Sequence, residues 1–173
     1  MQRLFVAIAL VLSLAASPIA RADEDLIEIV QTVWTDRVEP NTRQFGLKIE
    51  GSTPPRTLYL WMQVKGKKGA LDRLETDGKL PIRHKWFRET LTSINPEGVM
   101  QVVDNIPVPA ARIELLDKLR SEVAIRKHFD WRTWSKKDNI RRGRWRVTVV
   151  YADNSPVACG AGQKPCEFFI EVR

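Results

Sequence analysis

Only two cysteines and two histidines occur among the 173 residues. With so few soft or imidazole ligands, no Cys-x-x-Cys pair and no His-Glu-x-x-His helix, zinc and dithiol redox chemistry have no sequence support. There is no Gly-x-Ser-x-Gly elbow, so the signature of a serine hydrolase is missing as well. Past residue 22 no apolar run approaches the ~20 residues that span a bilayer. Internal repeats and low-complexity tracts are also missing, which removes solenoids and tethering segments from consideration. Acids are the scarcer charge, 21 against 28 basic residues, for a net charge of +7. No cofactor and no metal are expected.

Arg3 precedes an apolar run from Leu4 to Ala16, and Ser17-Pro18 and Ala20-Arg21-Ala22 follow it. A positive start, a 13-residue apolar core and a small-x-small site make a secretory signal peptide, cleaved after Ala22. Its removal takes away two arginines and no acid, leaving residues 23–173, 151 residues of net charge +5. That length suits a single domain. A hydrophobic content of 43% and six tryptophans exclude a disordered chain. Export predicts a periplasmic protein and disfavours nucleic acid as a partner. It also predicts an oxidising compartment, in which Cys159 and Cys166 form a disulfide. Closing that eight-residue loop restricts the unfolded chain by about 2.5 kcal/mol.

Period-two alternation dominates the rest. Leu58, Leu60, Met62 and Val64 alternate with Tyr59, Trp61, Gln63 and Lys65. Trp145, Val147, Val149 and Tyr151 alternate with Arg144, Arg146 and Thr148, and Phe168, Ile170 and Val172 with Glu167, Phe169, Glu171 and Arg173. Ile82–Leu91 predicts a further strand, with His84 and Trp86 on one face and Phe87 and Leu91 on the other. Asp77-Gly78, Asn95-Pro96-Glu97-Gly98, Arg142-Gly143 and Asp153-Asn154-Ser155-Pro156 are expected turns. The pattern predicts an antiparallel β-sandwich. One helix interrupts it: Leu115, Leu116, Leu119 and Val123 form a stripe within Pro109–Lys127, with Pro109 suited to its first turn. The alternatives are a helix through about Ala124 or a strand over Glu122–Phe129; the stripe favours the helix.

Three segments carry a resemblance: His84-Lys85-Trp86, Trp131-Arg132-Thr133-Trp134-Ser135-Lys136-Lys137 and Gly143-Arg144-Trp145-Arg146-Val147. With the closing Phe168–Val172 strand, they resemble an uncharacterised bacterial family of exported or membrane-attached proteins, whose pattern is H-x-W, W-R-x-x-S-x-K and G-x-W-x-V. Arg37-Val38-Glu39-Pro40 is similar to the turn that begins the family's domain, so the likeness spans about 36–173. Residues of about 95–128, with the helix, then form an insertion. The resemblance implies an immunoglobulin-like domain and no known catalytic residues.

The motif residues divide by role. His84, Trp86 and Trp145 are expected to be structural. Trp131 and Trp134, three residues apart in a strand, point to opposite sides. One of them, and Trp61 opposite the Leu58 face, is therefore a candidate for exposure and ligand contact. Arg132 between the tryptophans is expected to stack or to fix loop carbonyls. Lys136, Lys137, Arg141, Arg142, Arg144 and Arg146 form a basic cluster able to attract an anionic surface. The leading expectation is a noncatalytic interaction module meeting an envelope protein, an anionic glycan or a lipid head group. A glycan or small-ligand domain using an exposed tryptophan, and a small hydrolase using His84 as a base, are the alternatives.

Overall fold

The structure, a computed structural model, describes residues 26–51, 55–90, 93–102, 109–160 and 164–173. The expected signal peptide and Leu91 lie outside the described residues. In chain order the elements are β1 (Ile27–Thr35), β2 (Val38–Glu39), β3 (Gln44–Phe45), β4 (Thr57–Gly66), α1 (Lys68–Asp77), β5 (Ile82–Glu89), β6 (Ile94–Gln101), α2 (Pro109–Arg126), β7 (Phe129–Asp138), β8 (Gly143–Tyr151), β9 (Ala158–Cys159), β10 (Lys164–Pro165) and β11 (Glu167–Val172).

Two antiparallel sheets make the sandwich, one in the order β1-β4-β7 and the other β11-β8-β5-β6. Alternation decides what lies between them. Leu58, Leu60, Met62 and Val64 of β4 meet Trp86 of β5 and Trp145, Val147 and Val149 of β8 in one continuous core. Trp86 holds the centre, edge-on to Trp34 at 5.7 Å and to Trp145 at 6.3 Å. Rings crossed in this way gain about 0.5–1.5 kcal/mol beyond their buried area.

The edges are managed separately. Along β11, Trp34 Nε1 donates to the Phe169 carbonyl at 3.0 Å, and Gly51, at φ +99°, presses against the Glu171 carbonyl where no Cβ fits. Along β7, α2 packs against the sheet. Edge strand β6 carries Pro96, which cannot donate to a ladder, and Gly98 at φ +114°. Here the expected turn at Asn95–Gly98 is corrected: those residues lie inside β6. Their turn chemistry makes a bulge, because Trp86 pairs with Gly98 and Phe87 with Pro96, leaving Glu97 as the extra residue.

The expected helix is present as α2, two residues longer than its favoured end at Ala124, so β7 starts only at Phe129. A second helix corrects the expectation of only one. Helix α1 buries Ala70, Leu71 and Leu74 and ends at Gly78, which is left-handed at φ 68°. Its start is disguised, since Lys67 at the N-cap offers no side-chain cap, Gly66 comes just before it and Gly69 lies within the first turn. Cys159 and Cys166 are disulfide-bonded with Cα atoms 5.0 Å apart, as expected. Among the described residues no helix is long and apolar enough to cross a membrane.

Candidate interaction face

Strand pairing brings the three sequence motifs together inside the sandwich. His84 and Trp86 point inward from β5, and Ser135 points inward from β7 on the facing sheet. Ser135 Oγ lies 2.6 Å from His84 Nδ1 and accepts from Trp86 Nε1 at 3.0 Å. This knot ties one sheet to the other. Burial strips water from the imidazole and pushes its pKa down to about 3, so the ring is neutral, and Nε2 has no hydrogen-bond partner among the described residues. A serine–histidine pair invites a catalytic interpretation, but both side chains are sealed, His84 at 0% and Ser135 at 1% exposure. No substrate reaches them in this conformation. Among the described residues no cluster of three or more potential metal ligands occurs.

The candidates for exposure, Trp61 and one of Trp131 and Trp134, are buried, and this is a correction. Trp131 and Trp134 do point to opposite sides of β7, and Trp61 and Trp134 do share the outer face of the β1-β4-β7 sheet, paired in register. That face is roofed by the β2–β3 hairpin. Phe45 crosses edge-on to Trp61 at 4.9 Å, Val38 packs beside it, and Trp61 Nε1 donates to the Arg43 carbonyl at 2.8 Å. The same hairpin sends the Arg43 guanidinium over the Trp131 ring, 4.2 Å from its centroid, and on to the Arg132 carbonyl at 3.2 Å. The arginine stacked on the motif tryptophan is thus Arg43, and Arg132 contributes its backbone oxygen.

The basic cluster is also divided. Because β7 and β8 belong to different sheets, the connection between them crosses the sandwich. Arg132 and Lys136 lie on one outer face, and Arg144 and Arg146 lie on the opposite one. Lys137 turns inward and meets the bulged Glu97 at 3.4 Å. Arg141 and Arg142 lie in the crossing segment, where the Arg141 carbonyl accepts from Trp145 Nε1 at 2.8 Å. No single basic surface gathers these residues.

Among the described residues, what remains open is the outer face of the β11-β8-β5-β6 sheet. Its registers set three rows across the strands: Val99, Lys85, Thr148 and Glu167; Pro96, Phe87, Arg146 and Phe169; Ile94, Glu89, Arg144 and Glu171. Arg146 lies over Phe87 at 4.7 Å and pairs with Glu167 at 3.2 Å and Glu89 at 3.7 Å. Arg144 lies over Phe169 at 4.4 Å and pairs with Glu89 at 3.7 Å. Stacking and pairing hold both guanidinia in place, so binding need not order them. Ile94, Val99 and Phe169 are exposed between these charges. Arg83 and Lys85 have no ion pair among the described residues and extend the cationic side of the face.

Sequence reasoning found Arg144 and Arg146 of this face and missed Phe87, Glu89, Val99 and Phe169. The alternation that set Phe169 against Phe168 and Ile170 was a usable signal, since a phenylalanine on the polar side of a strand has no core to enter. The two glutamates were harder to foresee. They neutralise the arginines only across strands, at a register the sequence does not state. Comparison with known proteins found no family model and no curated protein that matches this chain.

Proposed function

We propose that this chain is a noncatalytic interaction module of the bacterial envelope, exported by residues 1–22, whose outer β11-β8-β5-β6 face docks a protein partner. The reading rests on one observation: arginines locked over phenylalanines, surrounded by exposed Ile94, Val99 and Phe169. Aromatic residues and arginine are the types enriched at the centres of protein interfaces. A lipid or anionic glycan surface would call for uncompensated cations, whereas Arg144 and Arg146 have glutamate partners here. A mixed face of this kind suits a protein surface that offers apolar groups and carboxylates for Arg83 and Lys85. A glycan platform is not favoured, because Trp61, Trp131 and Trp134 are buried. Convergence of His84, Trp86, Ser135 and Trp145 on one core supports reading the family-like motifs as a folding signature.

The test is affinity capture from envelope extract with the tagged mature chain, the partner being identified by mass spectrometry. Phe169→Asp and Val99→Asp should lose the partner, while Lys136→Ala on the roofed face should keep it. Equal retention by all three variants would remove this face from consideration.

A further inference from the structure

A second feature lies away from the sheet face, where α1 touches β4, α2 touches β7 and the two helices meet. Arg120 on α2 joins them through Glu75 on α1 at 2.7 Å. Beside this contact a groove of about 890 Å³ opens at the start of β1. Small-molecule sites commonly fall between ~300 and 1,000 Å³. Its lining is apolar along Leu26, Leu71, Val123 and Ala124. Lys65, Lys67 and Lys127 join that lining, and so do the acids Glu28, Asp72 and Glu75.

Charges around the groove are unevenly matched. Lys68 is paired with Asp72 at 3.0 Å, and Arg120 is held by both Glu75 and Asp117. Lys65 sits in register between Glu28 and Asp130. Lys67 and Lys127 are exposed and have no ion pair among the described residues; Lys127, just past the carbonyl end of α2, donates its ammonium to the Ala124 carbonyl at 3.4 Å. Helix α1 begins at the same place, uncapped and with no acid in its first turn, so its orphan amides add positive potential. An apolar trough whose cationic end holds two lysines without an ion pair among the described residues is complementary to a molecule with a long alkyl chain and one negative head. Among the described residues the cations without an ion pair here are lysines, point charges that accept a carboxylate without the bidentate geometry of an arginine fork.

We propose that this groove binds a single-chain fatty acid, its alkyl chain along Val123 and Ala124 and its carboxylate at Lys67 and Lys127. The site is independent of the sheet face and of the protein partner assigned to it. Isothermal titration of the mature chain with decanoate, dodecanoate and tetradecanoate, each below its critical micelle concentration, reads the proposal directly. One saturable site is expected, tightening about fourfold for each buried methylene. Dodecyltrimethylammonium should bind at least about tenfold more weakly than dodecanoate. The double variant Lys67→Ala/Lys127→Ala should lose about tenfold for dodecanoate and nothing for the ammonium probe.

Ala124 is exposed on α2, so Ala124→Trp fills the groove without entering the core, and circular dichroism checks that the helix remains. That variant should abolish binding. Four results would each overturn the proposal: no saturable binding, equal affinity for both head-group signs, undiminished binding to Ala124→Trp, or tighter binding of dodecyl phosphate than of dodecanoate. So would a dimer, seen by sedimentation, that Ala124→Trp dissociates, because the groove would then belong to a second copy of the chain.

Discussion

On the outer face of the three-stranded sheet, Trp61 and Trp134 stand opposite each other and are 2% and 4% exposed. On the outer face of the four-stranded sheet, Phe169 stands beside Arg146 and is 42% exposed. Both pairs are large side chains on the polar side of an alternating strand, where period two points them away from the core. A hairpin of two two-residue strands separates their fates. Val38 and Phe45 turn one outer face into a second small core, and the other keeps its aromatic residues for contact. The direction of a side chain is therefore a property of its strand. Its burial is a property of whatever segment arrives from elsewhere.

Truncation gives the largest separation between the faces. Trp134→Ala should destabilise by about 3–5 kcal/mol, the range for deleting a buried large aromatic. Phe169→Ala should cost less than about 1 kcal/mol, as for a surface substitution. Urea unfolding of the two variants compares them directly. Similar losses would mean that the open face is packed in solution, and the contrast would fail.

The strands were legible because a half-buried strand writes its geometry into the sequence at every second residue. The disulfide was legible from cysteine count and spacing, and α2 from its leucine stripe. What escaped had a physical reason in each case. The roof over Trp61 is built by Val38–Glu39 and Gln44–Phe45, strands too short to show a period. Helix α1 starts without a capping side chain, with Gly66 just before it and Gly69 within its first turn. Asn95–Gly98 has the composition of a turn because a bulged edge strand tolerates the same residues as a turn. The basic cluster of the candidate site was visible as a run, but its split between two sheets depends on where β7 and β8 pair.

Between the two faces lies the His84–Ser135–Trp86 knot, which belongs to both sheets and should fail as one unit in acid. In the folded chain the His84 pKa is lowered to about 3, while the unfolded chain keeps the ordinary value of 6.5. The folded-state pKa is the lower one, so the unfolded chain binds the proton first. The contribution is fully present above pH 6.5 and is lost as pH falls towards 3. The slope approaches about 1.4 kcal/mol per pH unit, or about 2 kcal/mol between pH 7 and pH 5. Unfolding curves across that interval, set against His84→Gln, measure the slope without requiring equal absolute stability. A wild-type slope no steeper than that of the variant would show that His84 carries its proton inside the fold.

The smallest expected change in stability sharpens the comparison most, because it separates what a face does for folding from what it does for binding. Arg144 is 57% exposed along its side chain and lies 3.7 Å from Glu89, a distance at which solvent screens most of the attraction. Arg144→Ala should therefore shift stability by no more than about 0.5 kcal/mol. If the open sheet face docks a protein, the same change removes a guanidinium already fixed over Phe169 and should weaken the captured partner by about tenfold or more. Lys136→Ala is the matched control: it also removes an exposed cation paired at 3.7 Å, with Asp138, but from the roofed face. It should leave both stability and capture unchanged. Urea midpoints and a binding titration on the two variants give four numbers, and only the capture by Arg144→Ala should move. Loss of capture in both variants would instead trace partner binding to overall positive charge, and the distinction between the faces would then concern folding alone.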